Sequence, residues 1–389
     1  MIHRNTPQLF STLTSYPEII VGRMRGLDLL RVIAMLFIVG NHWLGHGISL
    51  KGFDPTVPHA YFLWFIRGIN YMGVNLFVLI SSYFLCKSPI RIKHVLSLVC
   101  QVLFYSISLY WLTFSLGLHS VSLRSLFESI FPITTSKYWF VTCYIALYLL
   151  SPFLNVLIGG LSKRGHQSLL VFLLLLFSII PNIFFFSPWL NWGGSCGIVW
   201  FVVLYFIGAY MRLYVDADCV KKNRNKISVV TILFLCLPFI SKLIIARVTL
   251  LITGHVVGSS VFYQNNSILI VPMSISFFLL FMTIEIRKQW LQSVIDFSVK
   301  GVLSVYLITE NGYIRPYLWG MVSRLIDYNA GVFPVVFVII VLLVFLSCVM
   351  VDCIRRVLFH LCNVTGVPNR VLKWISPVSD YVYSGLKKE

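Results

Sequence analysis

Residues 26–48 read GLDLLRVIAMLFIVGNHWLGHGI, an apolar run that nevertheless carries Arg31 and His42. The run is long enough to cross a bilayer. Ionisable side chains inside such a helix cost roughly 3 kcal/mol each on insertion scales, so they ask for a functional reason. Arg31 and His42 stand eleven residues apart. At about 100° per residue the two side chains return to within about 20° of one helix face, separated by a rise of about 16 Å. One stripe thus presents a fixed cation at one depth and a titratable imidazole at another.

The rest of the chain agrees with a membrane reading. Its 389 residues are 58% hydrophobic and only 11% charged, against about 25% charged in a soluble domain. Hydropathy marks about ten spans: 27–48, 60–85, 95–116, 138–158, 168–187, 197–214, 227–250, 267–284, 299–318 and 331–354. Pro181 and Pro188 interrupt the fifth, which admits a kinked or re-entrant form. The fold class expected is therefore all-α, a polytopic bundle. Its organisation reads as an N-terminal segment 1–25, a membrane domain 26–354 and a basic tail 355–389 with amphipathic pieces suited to the inner leaflet.

Net charge is +18. Its distribution excludes a nucleic-acid binder, because no basic run forms a patch. Twenty-one Lys and Arg residues fall in alternate loops and the termini, including Arg23, Lys87, Arg91, Lys163, Arg212, Lys221 and Arg287, against four (Lys51, Arg124, Lys137, Arg324) on the other side. The positive-inside rule then makes both termini cytoplasmic. Nine cysteines are scattered without CxxC or metal-ligand spacing, so neither a disulfide framework nor a metal site is indicated. The first 25 residues lack the apolar core of a signal peptide, and the first span reads as an uncleaved anchor.

Several polar residues could carry chemistry. His42 is either a buried histidine bonded to a neighbouring helix or a general base, since an imidazole accepts a proton from a hydroxyl near neutral pH. His46, one turn on, is a rim residue or a participant. Arg31 suits a phosphate, or pairs with Asp28 three residues earlier. Lys87, Arg91 and Lys93 set topology or form a basic rim for a phosphorylated cofactor, and Arg67 of the second span is taken with the donor. Trp139 opens the fourth span as an aromatic belt or as a wall for a sugar. In SVYLITENGYIRPYLW, residues 304–319, Glu310 falls near mid-span. A lone carboxylate there is untenable, so Arg315, Arg67 or His42 is its expected partner, as a structural pair or as a group orienting the imidazole. Lys242 and Arg247 snorkel or meet an anionic glycan, and the polar segment 253–267, with Asn266, suits sugar hydroxyls or any wetted loop.

These segments resemble the membrane acyltransferase-3 family of bacterial O-acyltransferases. Arg31 and His42 match its opening pattern of Arg, ten residues, then His. GVNLFVLISSYFL (73–85), with Ser82 in place of the usual Gly, and YWFVTCYIALYLLSPFL (138–154) resemble its next two signatures. SVYLITEN (304–311) resembles a late Val-Tyr-Leu-Ile-His-Glu-Asn segment, with Thr309 where that second His stands, so no role for it carries over. The resemblance spans roughly residues 24 to 350. It implies acyl transfer, commonly acetyl from acetyl-CoA, to a lipid-linked or extracytoplasmic glycan in the bacterial cytoplasmic membrane. It also implies His42 as the catalytic residue and Arg31 as needed for donor use. Some members carry a fused extracytoplasmic domain, and this chain would transfer directly or with a separate partner. The sites expected are His42 and Glu310 in catalysis, Arg31, Arg67, Lys87 and Arg91 toward the donor, and Trp139, Arg315 and Asn266 toward the acceptor, with no metal. A transporter or flippase for lipid-linked sugars is the competing reading, since intramembrane Arg, Glu and His also suit a translocation path. The absence of an internal repeat and the single Arg/His stripe argue against it.

Overall fold

A computed structural model describes residues 23–48, 50, 54, 56, 60–187, 190, 194–324 and 331–384. Lys51, Pro188, the first 22 residues of the N-terminal segment and residues 385–389 of the tail lie outside the described residues. Every regular element described is helical. The main helices are α1 (Arg25–Gly47), α2 (Tyr61–Leu85), α3 (Ile92–Ser115), α4 (Leu123–Ile130), α5 (Trp139–Gly159), α6 (Lys163–Ile183), α7 (Ile198–Tyr214), α8 (Arg224–Thr253), α9 (Ile270–Met282), α10 (Gln289–Thr309), α11 (Arg315–Arg324), α12 (Phe333–Leu361) and α13 (Val367–Ser384).

Eight of these, α1, α2, α3, α5, α6, α8, α10 and α12, are long and apolar enough to cross a membrane. The sixth and eighth expected spans are the shorter apolar helices α7 and α9. α9 is entered from irregular backbone at Asn265–Ser267, whose residues are 4%, 2% and 0% exposed. Non-helical backbone of that kind is tolerated at depth only when protein surrounds it. Here Asn75 donates to the Asn265 carbonyl at 2.7 Å, and Ser178 donates to the Asn266 carbonyl at 2.7 Å. The fifth span is one helix with a widened turn at Leu175–Ile179, which relaxes the backbone just before Pro181.

The ninth expected span differs from its reading. Helix α10 ends at Thr309 and the chain restarts as α11 at Arg315. The cause is local. The Asn311 side-chain oxygen accepts the backbone N–H groups of Tyr313 (2.9 Å) and Ile314 (3.2 Å), an Asx turn that diverts the chain. Pro316 then sits within the first turn of α11, where its missing N–H is harmless. Glu310 is consequently the C-terminal cap of α10, not a mid-helix residue.

Small residues set the closest approaches. A Cβ on Gly73 of α2 would stand 2.9 Å from the Ala34 carbonyl of α1. A Cβ on Gly208 of α7 would stand 2.6 Å from Ser82 Cβ and 3.0 Å from the Leu79 carbonyl of α2. Gly208→Ala is expected to force these helices apart and lower stability by about 1–3 kcal/mol, read as a lowered melting temperature in detergent.

A second polar centre lies away from His42. Asp352 of α12 is fully buried and accepts from Ser304 of α10, from Tyr105 of α3 at 3.1 Å and from Arg355 at 2.7 Å. Arg356 pairs with its other oxygen at 3.2 Å, and Gln101 of α3 donates to Ser304 at 2.8 Å. Three helices meet on one carboxylate.

At the basic end, Arg23 and Arg25 both pair with Asp296, and Arg23 also holds Asp28 at 2.6 Å. In the nearby connection Lys221 and Arg287 flank Glu285 and draw its carboxyl down to about 2. Folded-state pairing there is present above the ordinary carboxylate range and lost only as pH falls through about 2, so this clamp does not titrate near neutrality.

Candidate active site

His42 closes the regular part of α1, and the next five residues, Trp43–Gly47, form a π turn. The turn is closed by the Ile48 N–H on the Trp43 carbonyl at 3.1 Å. Such turns cluster at functional sites. Trp43 anchors it, stacked on Phe337 of α12 at 4.9 Å between centroids. His42 and His46 thereby face the same carboxylate, with His42 Nε2 at 3.3 Å and His46 Nε2 at 3.1 Å from Glu310 Oε2. Arg315 Nη1 holds the other oxygen, Oε1, at 2.9 Å.

The electrostatics explain this crowding. Glu310 caps the C-terminal end of α10, where the helix dipole is negative and a carboxylate is disfavoured. Its side chain is only 11% exposed. A buried anion in that position persists only with cationic or N–H partners around it, and the first turn of α11 and the end of α1 supply them. Of the three partners expected for Glu310, Arg315 and His42 are present.

His42 is held from its other side as well. Nδ1 lies 2.9 Å from Thr309 Oγ1. The Thr309 carbonyl accepts from Trp319 Nε1 of α11 at 3.2 Å, which ties the end of α10 to α11. The ring of Tyr306 lies 5.9 Å from the His42 ring, and the next residue after Glu310, Asn311, donates to the Tyr138 hydroxyl at 2.7 Å.

The other expected site residues divide. Arg67 lies with His42 rather than with Arg31. It donates to the Asn41 carbonyl at 2.8 Å and its guanidinium faces Gly45, because α2 passes that end of α1 with its first turns. Trp139 is one ring further out, packed on Phe140 and Phe201, and Phe140 in turn meets Tyr306. Arg315 is committed to Glu310 but remains 37% exposed. Asn266 is buried. Its amide donates to the Phe177 carbonyl at 2.8 Å and serves the packing of α6 against the entry to α9.

Arg31 sits on the continuous α-helical part of α1, so the eleven-residue register with His42 holds. Its nearest carboxylate, Asp28, is 4.0 Å away and is held more closely by Arg23. Met35 and Ile38, between the two on the same stripe, are 3% and 6% exposed, so that strip of α1 is packed with side chains. A cavity of about 310 Å³ opens between the start of α1 and the segment after α9, lined by Arg23, Arg25, Met282 and Glu285 among others, and Arg31 is not part of its lining. Lys87 and Arg91 lie on the connection between α2 and α3, and Arg91 is anchored there by its backbone N–H on the Tyr148 hydroxyl at 3.1 Å.

A family model for an acyltransferase domain, acyltransferase 3, matches residues 24–352, from just before α1 to Asp352 near the end of α12. The chain belongs to the acyltransferase-3 family. Neither the curated proteins nor the solved structures contain a match. As a member of this family the chain is a multi-pass membrane acyltransferase, and the matched region contains every helix that builds the His42 cluster. Several contributors to that cluster, among them Tyr306, Asn311, Thr309, Tyr138 and Trp319, were not assigned to the site from sequence. Thr309 registered only as a replacement, and Tyr138 and Trp319 gave no signal beyond their aromatic character.

Proposed function

We propose that this acyltransferase moves an acetyl group from cytoplasmic acetyl-CoA to a hydroxyl of a lipid-linked or extracytoplasmic glycan, in the bacterial cytoplasmic membrane and with both termini inside. The observation that carries the reading is His42, held at Nδ1 by Thr309 and with Nε2 beside Glu310. His42 takes the proton of the acceptor hydroxyl, whose oxygen attacks the thioester carbonyl. The C–O bond forms, the C–S bond breaks, and the departing thiolate takes the proton back from the imidazolium. Glu310 Oε2, 3.3 Å from Nε2, supplies the opposing charge while that proton is held. Arg315 fixes the carboxylate, and its exposed side faces the acceptor. Trp139, packed on Phe140 and Phe201, offers an apolar face for a sugar ring.

Arg31 suits the phosphates of the donor, and Lys87 and Arg91 add positive charge toward it. Arg67, beside Asn41 and Gly45, suits the acyl end of the donor instead. No metal enters the scheme. Purified protein incubated with acetyl-CoA should release free thiol faster when glycan is added. Arg31→Ala should raise the acetyl-CoA KM by at least about tenfold, the order lost with one charge-assisted phosphate contact of 1.5–3 kcal/mol. A change confined to acceptor affinity would exclude Arg31 from donor binding.

A further inference from the structure

Thr309 has one hydroxyl hydrogen and two close neighbours. Its Oγ1 lies 2.7 Å from the Val305 carbonyl oxygen, one turn back on α10. A carbonyl oxygen can only accept, so at that separation the hydrogen belongs to this bond, the usual back-bonding of a helical threonine. The same Oγ1 lies 2.9 Å from His42 Nδ1. With its hydrogen committed, Oγ1 meets Nδ1 as an acceptor, and Nδ1 carries a hydrogen, while Nε2 stands 3.3 Å from Glu310 Oε2 without hydrogen-bond alignment, that oxygen taking its N–H from His46 at 3.1 Å. Thr309 is fully buried, so water offers no alternative partner. Its backbone is held by Trp319.

We infer that Thr309 is a positioning residue that fixes His42 in the Nδ1–H tautomer and leaves Nε2 as the nitrogen that exchanges protons. Free neutral histidine prefers the opposite tautomer, with hydrogen on Nε2, which could not accept a proton at the atom that faces Glu310. A neutral hydroxyl thus does here what a carboxylate does for the histidine of a Ser-His-Asp triad: it selects the tautomer and the ring orientation. The consequence for rate rests on His42 being the base, as proposed above. The tautomer assignment does not.

The test uses full-length protein labelled with ¹⁵N-histidine in lipid bilayers at about pH 9, where an imidazole is neutral. The His42 signals are identified by their loss in His42→Gln. Solid-state NMR should show hydrogen on Nδ1 in the wild type and in Thr309→Ser, and on Nε2 in Thr309→Val, which keeps the shape and removes the hydroxyl. In parallel, Thr309→Val should lower kcat for acetyl transfer by about 10²-fold, the lower range of a general-base contribution, with acetyl-CoA KM unchanged. Thr309→Ser should restore most of it. A wild-type signal with hydrogen on Nε2 overturns the inference, as does a Thr309→Val signal still on Nδ1. A tautomer that moves as expected while kcat does not change upholds the role of Thr309 and overturns His42 as the base.

Discussion

His42→Ala is expected to yield a folded protein without acyl transfer. General-base catalysis contributes about 10²–10⁴ in rate, and the neighbouring His46 and Glu310 are engaged with each other and with Arg315. Folding should survive because Glu310 keeps two partners, Arg315 at 2.9 Å and His46 at 3.1 Å. The Thr309 hydroxyl also keeps its bond to the Val305 carbonyl. Thiol release and glycan acetylation, measured beside a melting curve, separate the two effects. A well-folded and active His42→Ala protein would remove the imidazole from the reaction.

Asp352→Ala is expected to show the opposite pattern, a large loss of stability from a residue outside the His42 cluster. Asp352 is fully buried and gathers Tyr105 of α3, Ser304 of α10, and Arg355 and Arg356 of its own helix. Removing the carboxylate leaves the Arg355 guanidinium, 10% exposed, without its counter-charge. Breaking a buried pair from one side costs about 3–5 kcal/mol. Tyr105→Phe removes one hydrogen bond from the same centre and should cost only about 1 kcal/mol. Thermal melts of both variants in one detergent test the comparison, and an Asp352→Ala protein that melts with the wild type would mean that the carboxylate does not hold these helices.

The spans were legible because twenty-residue apolar runs leave little freedom: in lipid, backbone groups must bond within the segment. The Arg31–His42 stripe was legible for the same reason, since a continuous helix fixes the angle between them. The partners of Glu310 followed from charge, because a buried carboxylate demands a cation. What failed to show is equally physical. The break after Thr309 depends on one side-chain oxygen, that of Asn311, turning back on the chain, and hydropathy averages over such a turn. Arg67 was placed by charge alone, which says nothing of depth. Asn266 looked like a wetted loop residue because polarity does not distinguish a group bonded to water from one bonded to the Phe177 carbonyl. Thr309 carried its information in two distances that no spacing encodes.

The π turn at Trp43–Gly47 has a consequence for how tightly this helix end tolerates change in length. An ordinary helix advances about 100° per residue, and the wider turn accommodates one residue more than the ordinary turn does. Excising Leu44 or Gly45 would let the coil tighten toward its normal pitch and shift the later imidazole against its shared anion, while leaving the earlier one in place. The surplus residue therefore works as a spacer that sets where the later ring meets the shared oxygen.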